Sequence, residues 1–284
     1  MTFNRIQAKE DAKAAVARSR YQACLVTAIY LLATNVVSSM VGAVVTNPMQ
    51  VADQYLNAWA QAGGGTLDIQ ELIAHVFYSA GPVGIFVSVL LALYELVMRA
   101  GLVIYIMRVV RGEDSQYRTL LEGFQLAPQI IAQQLLVVLF SFFWFFPAAL
   151  ICSLAGVVVI LTGSQLLLAL FYILSLLALV AFSLWVQYRY ALALYFLLDN
   201  PNQSILQSIR NSVVTMKGWK IELFVLQLSM LGWTLLSLVT MGIADVWVMP
   251  YTQGVTVNFY DFITGRRAAW SSDAAPLDEG TGVL

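Results

Sequence analysis

"LALYELVMRAGLVIYIMRVVRG" (residues 91–112) is nearly all oil, yet it holds Glu95 and, one helical turn on, Arg99. Read back to Val83, the run is long enough to cross a bilayer. A charge of each sign inside such a run is costly to keep there. The pair therefore raises two questions: where the chain lives, and what the charges do.

Composition answers the first. Of 284 residues, 60% are hydrophobic and 11% charged, with a mean hydropathy of +0.77. Ordinary soluble domains are about half apolar and a quarter charged. A net charge of −1 gives no basic footprint for nucleic acid. Cys24 and Cys152 sit in separate apolar runs and read as small core fillers rather than a disulfide. His75 is the one histidine, so no multi-histidine metal site is expected, and no P-loop, HExxH or GxSxG pattern occurs. No cofactor is expected. The first apolar run follows about 20 charged and small residues, which reads as an uncleaved span rather than a signal peptide.

The expected fold is all-α: a polytopic transmembrane bundle of about six spans in one domain, residues 1–265. The spans are placed at 21–45, 83–110, 129–151 (or bent past Pro147 to 160), 165–198, 219–241 and 244–262, the last kinked at Pro250. An outer loop covers 46–82, and 266–284 reads as a disordered cytoplasmic tail. Segments 46–82, 152–164 and 242–248 contain no lysine or arginine. All of the 15 except Arg99 and Arg189 lie in the N-terminal segment, around the 2–3 and 4–5 connections, or after span 6. Cytoplasmic loops keep the positive excess, so both termini are expected inside.

In the outer loop, "TLDIQELIAHVFYS" (66–79) offers Asp68 as N-cap with Glu71 three residues on. His75 there reads as a solvated surface histidine, with a pH-responsive element as the sharper alternative. On the inner side, "DSQYRTLLEGF" (114–124) and "NPNQSILQSIRNSVVTMKG" (200–218) read as short amphipathic helices in the interface.

Counted from Val83, Glu95 lies about 18 Å and Arg99 about 24 Å into a core of about 30 Å. Arg99 can snorkel to the cytoplasmic side, and Glu95 has it as an i+4 partner. Arg189 lies at the matching place in span 4. "RAGLVIY" (99–105) and "RYALALY" (189–195) share Arg, Leu and Tyr at the same offsets, and Trp144 and Trp233 follow at similar distances. This suggests a parallel repeat of spans 2–3 and 4–5. Glu95, Arg99 and Arg189 are thus the candidate binding residues. Two arginines against one carboxylate leave one positive charge, which a lipid phosphate or another anionic amphiphile would balance. The plainer reading is a salt bridge and a snorkelling arginine that tie helices together.

The C-terminal half carries further signals: Asp199 and Pro201 after a tyrosine-rich span, Ser212, Met216 and Gly218, then "LSMLGW" (228–233), "TMGI" (240–243) and Pro250–Tyr251 with Phe259–Tyr260. In this order they resemble a bacterial integral-membrane family, domain of unknown function 975. "IQAKEDAKAAV" (6–16) and "VVRGEDSQYRTLLEGF" (109–124) look similar too. The resemblance covers most of residues 1–265. It implies a multi-pass protein of the bacterial plasma membrane with about six spans, and no established activity.

From the residues alone, Gly232 and Ser229 would allow close helix contact, Gly242 a tight hairpin, and Asp199 or Asn200 a cap for the next helix. The leading functional expectation is non-enzymatic binding or transport of an anionic amphiphile or lipid. The alternative is an accessory, assembly or immunity-type protein that acts on a membrane-protein partner through its outer loop. An enzyme is not expected, because no nucleophile–base pair is evident.

Overall fold

The computed structural model describes residues 3–45, 48–61, 81–113 and 115–266. The 66–79 segment with His75 and the 267–284 part of the tail lie outside the described residues. Twelve helices are described: α1 (Arg5–Arg18), α2 (Arg20–Val45), α3 (Pro48–Gln61), α4 (Gly81–Arg111), α5 (Thr119–Gln125), α6 (Ala127–Leu161), α7 (Gln165–Tyr190), α8 (Ala193–Asp199), α9 (Ile205–Thr215), α10 (Lys220–Leu228), α11 (Leu231–Val239) and α12 (Asp245–Ile263). No strand occurs among the described residues.

Four stretches are long and apolar enough to cross a membrane: Gln22–Gly42, Gly84–Arg111, Ala127–Leu161 and Gln165–Asp199. The pair α10–α11, bent by 43°, makes a fifth if counted as one span. The sixth expected span, α12, forms as a 19-residue helix. It falls short of the others in apolarity because it carries Asp245, Gln253, Asn258 and Asp261. The α6 helix runs unbroken through Pro147 to Leu161. The fourth expected span is divided instead, at Ala191–Leu192 between α7 and α8. Segment 99–105 therefore lies inside one helix, whereas 189–195 straddles a break. Leu102 and Tyr105 are nonetheless buried, as are Leu192 and Tyr195.

Burial is concentrated at one end. From Ala100 to Met107 every residue of α4 is buried, but nearer its start Ile85 and Phe86 are exposed. The α6 and α7 helices leave most of their leucines, phenylalanines and valines on the surface. Exposed apolar area of that extent suits lipid, where helices gain little by hiding oil from one another. The packed end gathers α1, the second half of α4, α5, α8, α9 and the second half of α12.

Its close contacts follow from small residues. A Cβ on Gly101 of α4 would lie 2.1 Å from the Leu120 carbonyl oxygen of α5, and one on Gly123 would lie 2.6 Å from the Val97 carbonyl oxygen. These two glycines let the helices cross backbone to backbone. The "DSQYRTLLEGF" segment is thus partly core, with Thr119, Leu120 and Gly123 buried. The charged α1 helix docks through Ala8 and Ala12, both fully buried. Asn258 of α12 donates from Nδ2 to the Ala8 carbonyl, 2.8 Å away, and Phe3 meets Phe259 edge-on.

Two expected details differ. A Cβ on Gly232 would meet nothing within 4 Å, so Gly232 serves no tight helix contact. The cap of α9 is Ser204, whose hydroxyl accepts from the Gln207 amide, rather than Asp199 or Asn200. The Gly242 turn forms as expected, with φ at +86°. Phe259 and Tyr260 pack in the interior.

Candidate functional site

The expected Glu95–Arg99 ion pair does not form. Glu95 Oε1 accepts a 2.6 Å hydrogen bond from Ser38 Oγ on α2. The α2 helix packs along that side of α4 and supplies the hydroxyl, so Glu95 turns to it. No carboxylate lies within 4 Å of Arg99 among the described residues.

Arg99 instead lines two cavities, of about 270 Å³ and 610 Å³, among α4, α7, α10, α11 and α12. They share Arg99, Tyr188, Gln227, Gln253 and Thr256 and form one groove. Its α12 wall is a helical stripe of Asp245, Val248, Met249, Thr252, Gln253 and Thr256. Residues spaced three and four apart share a face, which is how Asp245, Thr252, Gln253 and Thr256 come to line one wall. Asp245 lies at the far end, about 16 Å from Thr256 along the helix.

Two tyrosines set the polarity of the groove. The Tyr188 hydroxyl donates to Gln227 Oε1 at 2.7 Å, and the Tyr195 hydroxyl donates to Gln253 Oε1 at 3.0 Å. Each glutamine oxygen thereby accepts one bond from protein, while its NH₂ has no protein acceptor among the described residues. With the Arg99 guanidinium, the inner part of the groove offers donors. The Ser237 hydroxyl, further along, is buried without a partner.

Arg189 is not brought to this groove. Its Cζ lies 5.1 Å from the ring centre of Trp144 and 5.8 Å from that of Trp185, over aromatic faces on α6 and α7. Of the expected trio, Glu95 meets a serine, Arg99 lines the groove and Arg189 lies over two indoles. Arg189 directly follows Tyr188, and neighbours on a helix point about 100° apart. That separates the two side chains.

A second charged cluster was not anticipated. At the packed end, Arg111 Nη1 binds Asp199 Oδ1 at 2.8 Å, while its Nη2 and Nε reach Asp261 at 2.7 and 3.3 Å. Tyr260 donates to Asp199 Oδ2 at 3.1 Å, and Arg266 also pairs with Asp199. Both aspartates are under 10% exposed. The network ties the ends of α4, α8 and α12 together, and its charges balance, so it reads as architecture. Its one sequence signal was Asp261 standing inside the apolar "NFYDFI" (258–263). Gln133 of α6 also has a structural task. It donates to the Ala193 carbonyl at the start of α8 and to Ser208 of α9, both at 2.7 Å.

Among the described residues no group of three or more His, Cys, Asp or Glu is placed to hold a metal. An all-α bundle with four or five helices long and apolar enough to cross a membrane, and a polar groove among them, is compatible with a helical membrane protein. Residues 4–267 match the family described as protein of unknown function (DUF975), and the chain belongs to that family. No curated protein and no solved structure matches the chain.

Proposed function

We propose that this is a multi-pass protein of the bacterial plasma membrane, with both termini in the cytoplasm, that binds or moves an anionic amphiphile without chemical conversion. The observation that carries it is the donor set at the inner part of the groove: Arg99, with no carboxylate within 4 Å among the described residues, beside two glutamine amides whose oxygens already accept from tyrosines. An oxyanion satisfies such a set, whereas a cation or a neutral acceptor-poor molecule does not. Leu228, Leu231 and Met249 on the same walls suit an apolar tail. Such a mixture of oil with a few placed polar groups is the usual character of small-molecule sites. The distribution of lysine and arginine supports the orientation.

The test is a titration of detergent-solubilised protein with a dansyl-labelled fatty acid, with the matching dansyl alkylamine as control. The acid is expected to bind saturably and the amine weakly. Arg99→Gln should weaken the acid about tenfold or more, because a hydrogen bond to a charged group is lost. Equal binding of both probes, or an Arg99→Gln protein that binds like the parent, would overturn the reading. The alternative, action on a protein partner through the outer connection, draws on α3. Its sequence PMQVADQYLNAWAQ alternates oil and polar residues at helical spacing. Crosslinking from residues 48–61 to a second membrane protein, with the acid probe unbound, would favour it.

A further inference from the structure

Arg189 and Lys220 share one indole. Lys220 Nζ lies 3.9 Å from the ring centre of Trp185, and Arg189 Cζ lies 5.8 Å from the same centre. The two cations are therefore within about 10 Å of each other, and no carboxylate pairs with either among the described residues. Arg189 Nε is buried and has no hydrogen-bond partner among the described residues. Two like charges held together, one with a stranded donor, lack an anion.

The position along the helices says which kind. Trp185 lies about 20 residues past the start of α7, hence about 30 Å from the α6–α7 turn, which is the thickness of the hydrocarbon layer. Trp144 on α6 lies about 25 Å from that same turn. The two rings meet edge-on at 5.3 Å, and both remain partly exposed on the outside of the bundle. Tryptophans at that depth belong to the boundary between oil and headgroups. Above them the flanking α6 and α7 surface is bare leucine and phenylalanine.

We infer that Arg189 and Lys220, over Trp185 and Trp144, form a site for the phosphate of an anionic glycerophospholipid, whose acyl chains lie along α6 and α7. The site is distinct from the Arg99 groove. It shares with the groove only the membrane-spanning reading of the helices, so the two stand or fall separately.

Full-length protein is stripped of lipid in detergent and titrated with dioleoyl phosphatidylglycerol or dioleoyl phosphatidylcholine. Bound lipid is counted by native mass spectrometry, with inorganic phosphate as competitor. Phosphatidylglycerol should be retained at about tenfold lower concentration than phosphatidylcholine. Arg189→Gln and Lys220→Gln should each weaken it about tenfold. All lipid counts are made in an Arg99→Gln background, so that an anionic amphiphile held in the groove does not contribute. Lys220→Arg keeps the charge and should keep the lipid, which separates a lost site from a misfolded protein. The inference fails if the two phospholipids bind alike, or if both glutamine variants retain lipid as the parent does. It also fails if Lys220→Arg loses the lipid, or if inorganic phosphate displaces it at comparable concentration, which would make this a site for free anions.

Discussion

Arg111 and Arg99 lie on the same helix and have opposite surroundings. Arg111 is held by Asp199 and Asp261, both nearly buried. Removing a partner from a buried pair strands the other charge, at a cost of about 3–5 kcal/mol. Arg111→Met should therefore lower the thermal midpoint in detergent sharply, while Arg99→Gln should leave it within about 0.5 kcal/mol of the parent. Equal effects of the two changes would show that the packed-end network is not what secures these three helices. Both residues are arginines in or beside an apolar run, so residue type alone did not distinguish them. The partners of Arg111 lie 88 and 150 residues away in the chain, beyond the reach of any local pattern.

At the scale of elements, the α4–α5 crossing depends on the absence of two side chains. Gly101→Ala places a methyl where the Leu120 carbonyl stands, and backbone yields little. Each of Gly101→Ala and Gly123→Ala should destabilise by about 1–3 kcal/mol or more. Gly232→Ala, on a helix with open space at that point, should be neutral or slightly stabilising. Chemical denaturation of the three variants checks this order, and a costly Gly232→Ala would refute it. The sequence marked Gly232 as a contact residue and passed over Gly101 and Gly123. Small residues announce that a close approach is feasible, but which face meets a neighbour is set by the packing.

For the whole molecule, the distribution of positive charge predicts sidedness. With Cys24 and Cys152 replaced by serine, a cysteine at Asn57 should react with a membrane-impermeant maleimide added outside intact cells. One at Gln116 should react only after the cells are opened. Labelling of both sites from outside would end the proposed orientation. The half with its apolar side chains exposed contrasts with the packed end. Where the surroundings are oil, helices need little burial. At the packed end, α1, α5 and α9 cover the remaining apolar surface.

The sequence by itself determined that this chain is helical, that several helices are fit to cross a membrane, and that it belongs with one family of unassigned role. Those properties follow from apolar run length and from motifs read in order, both local quantities. The tertiary structure decided which charges meet. It gave Glu95 to a serine, Arg99 to a groove, Arg189 to a pair of indoles of which Lys220 shares one, and Arg111 to two distant aspartates. The reason is geometric: successive residues on a helix face different neighbours, and the identity of those neighbours exists only once the helices have packed.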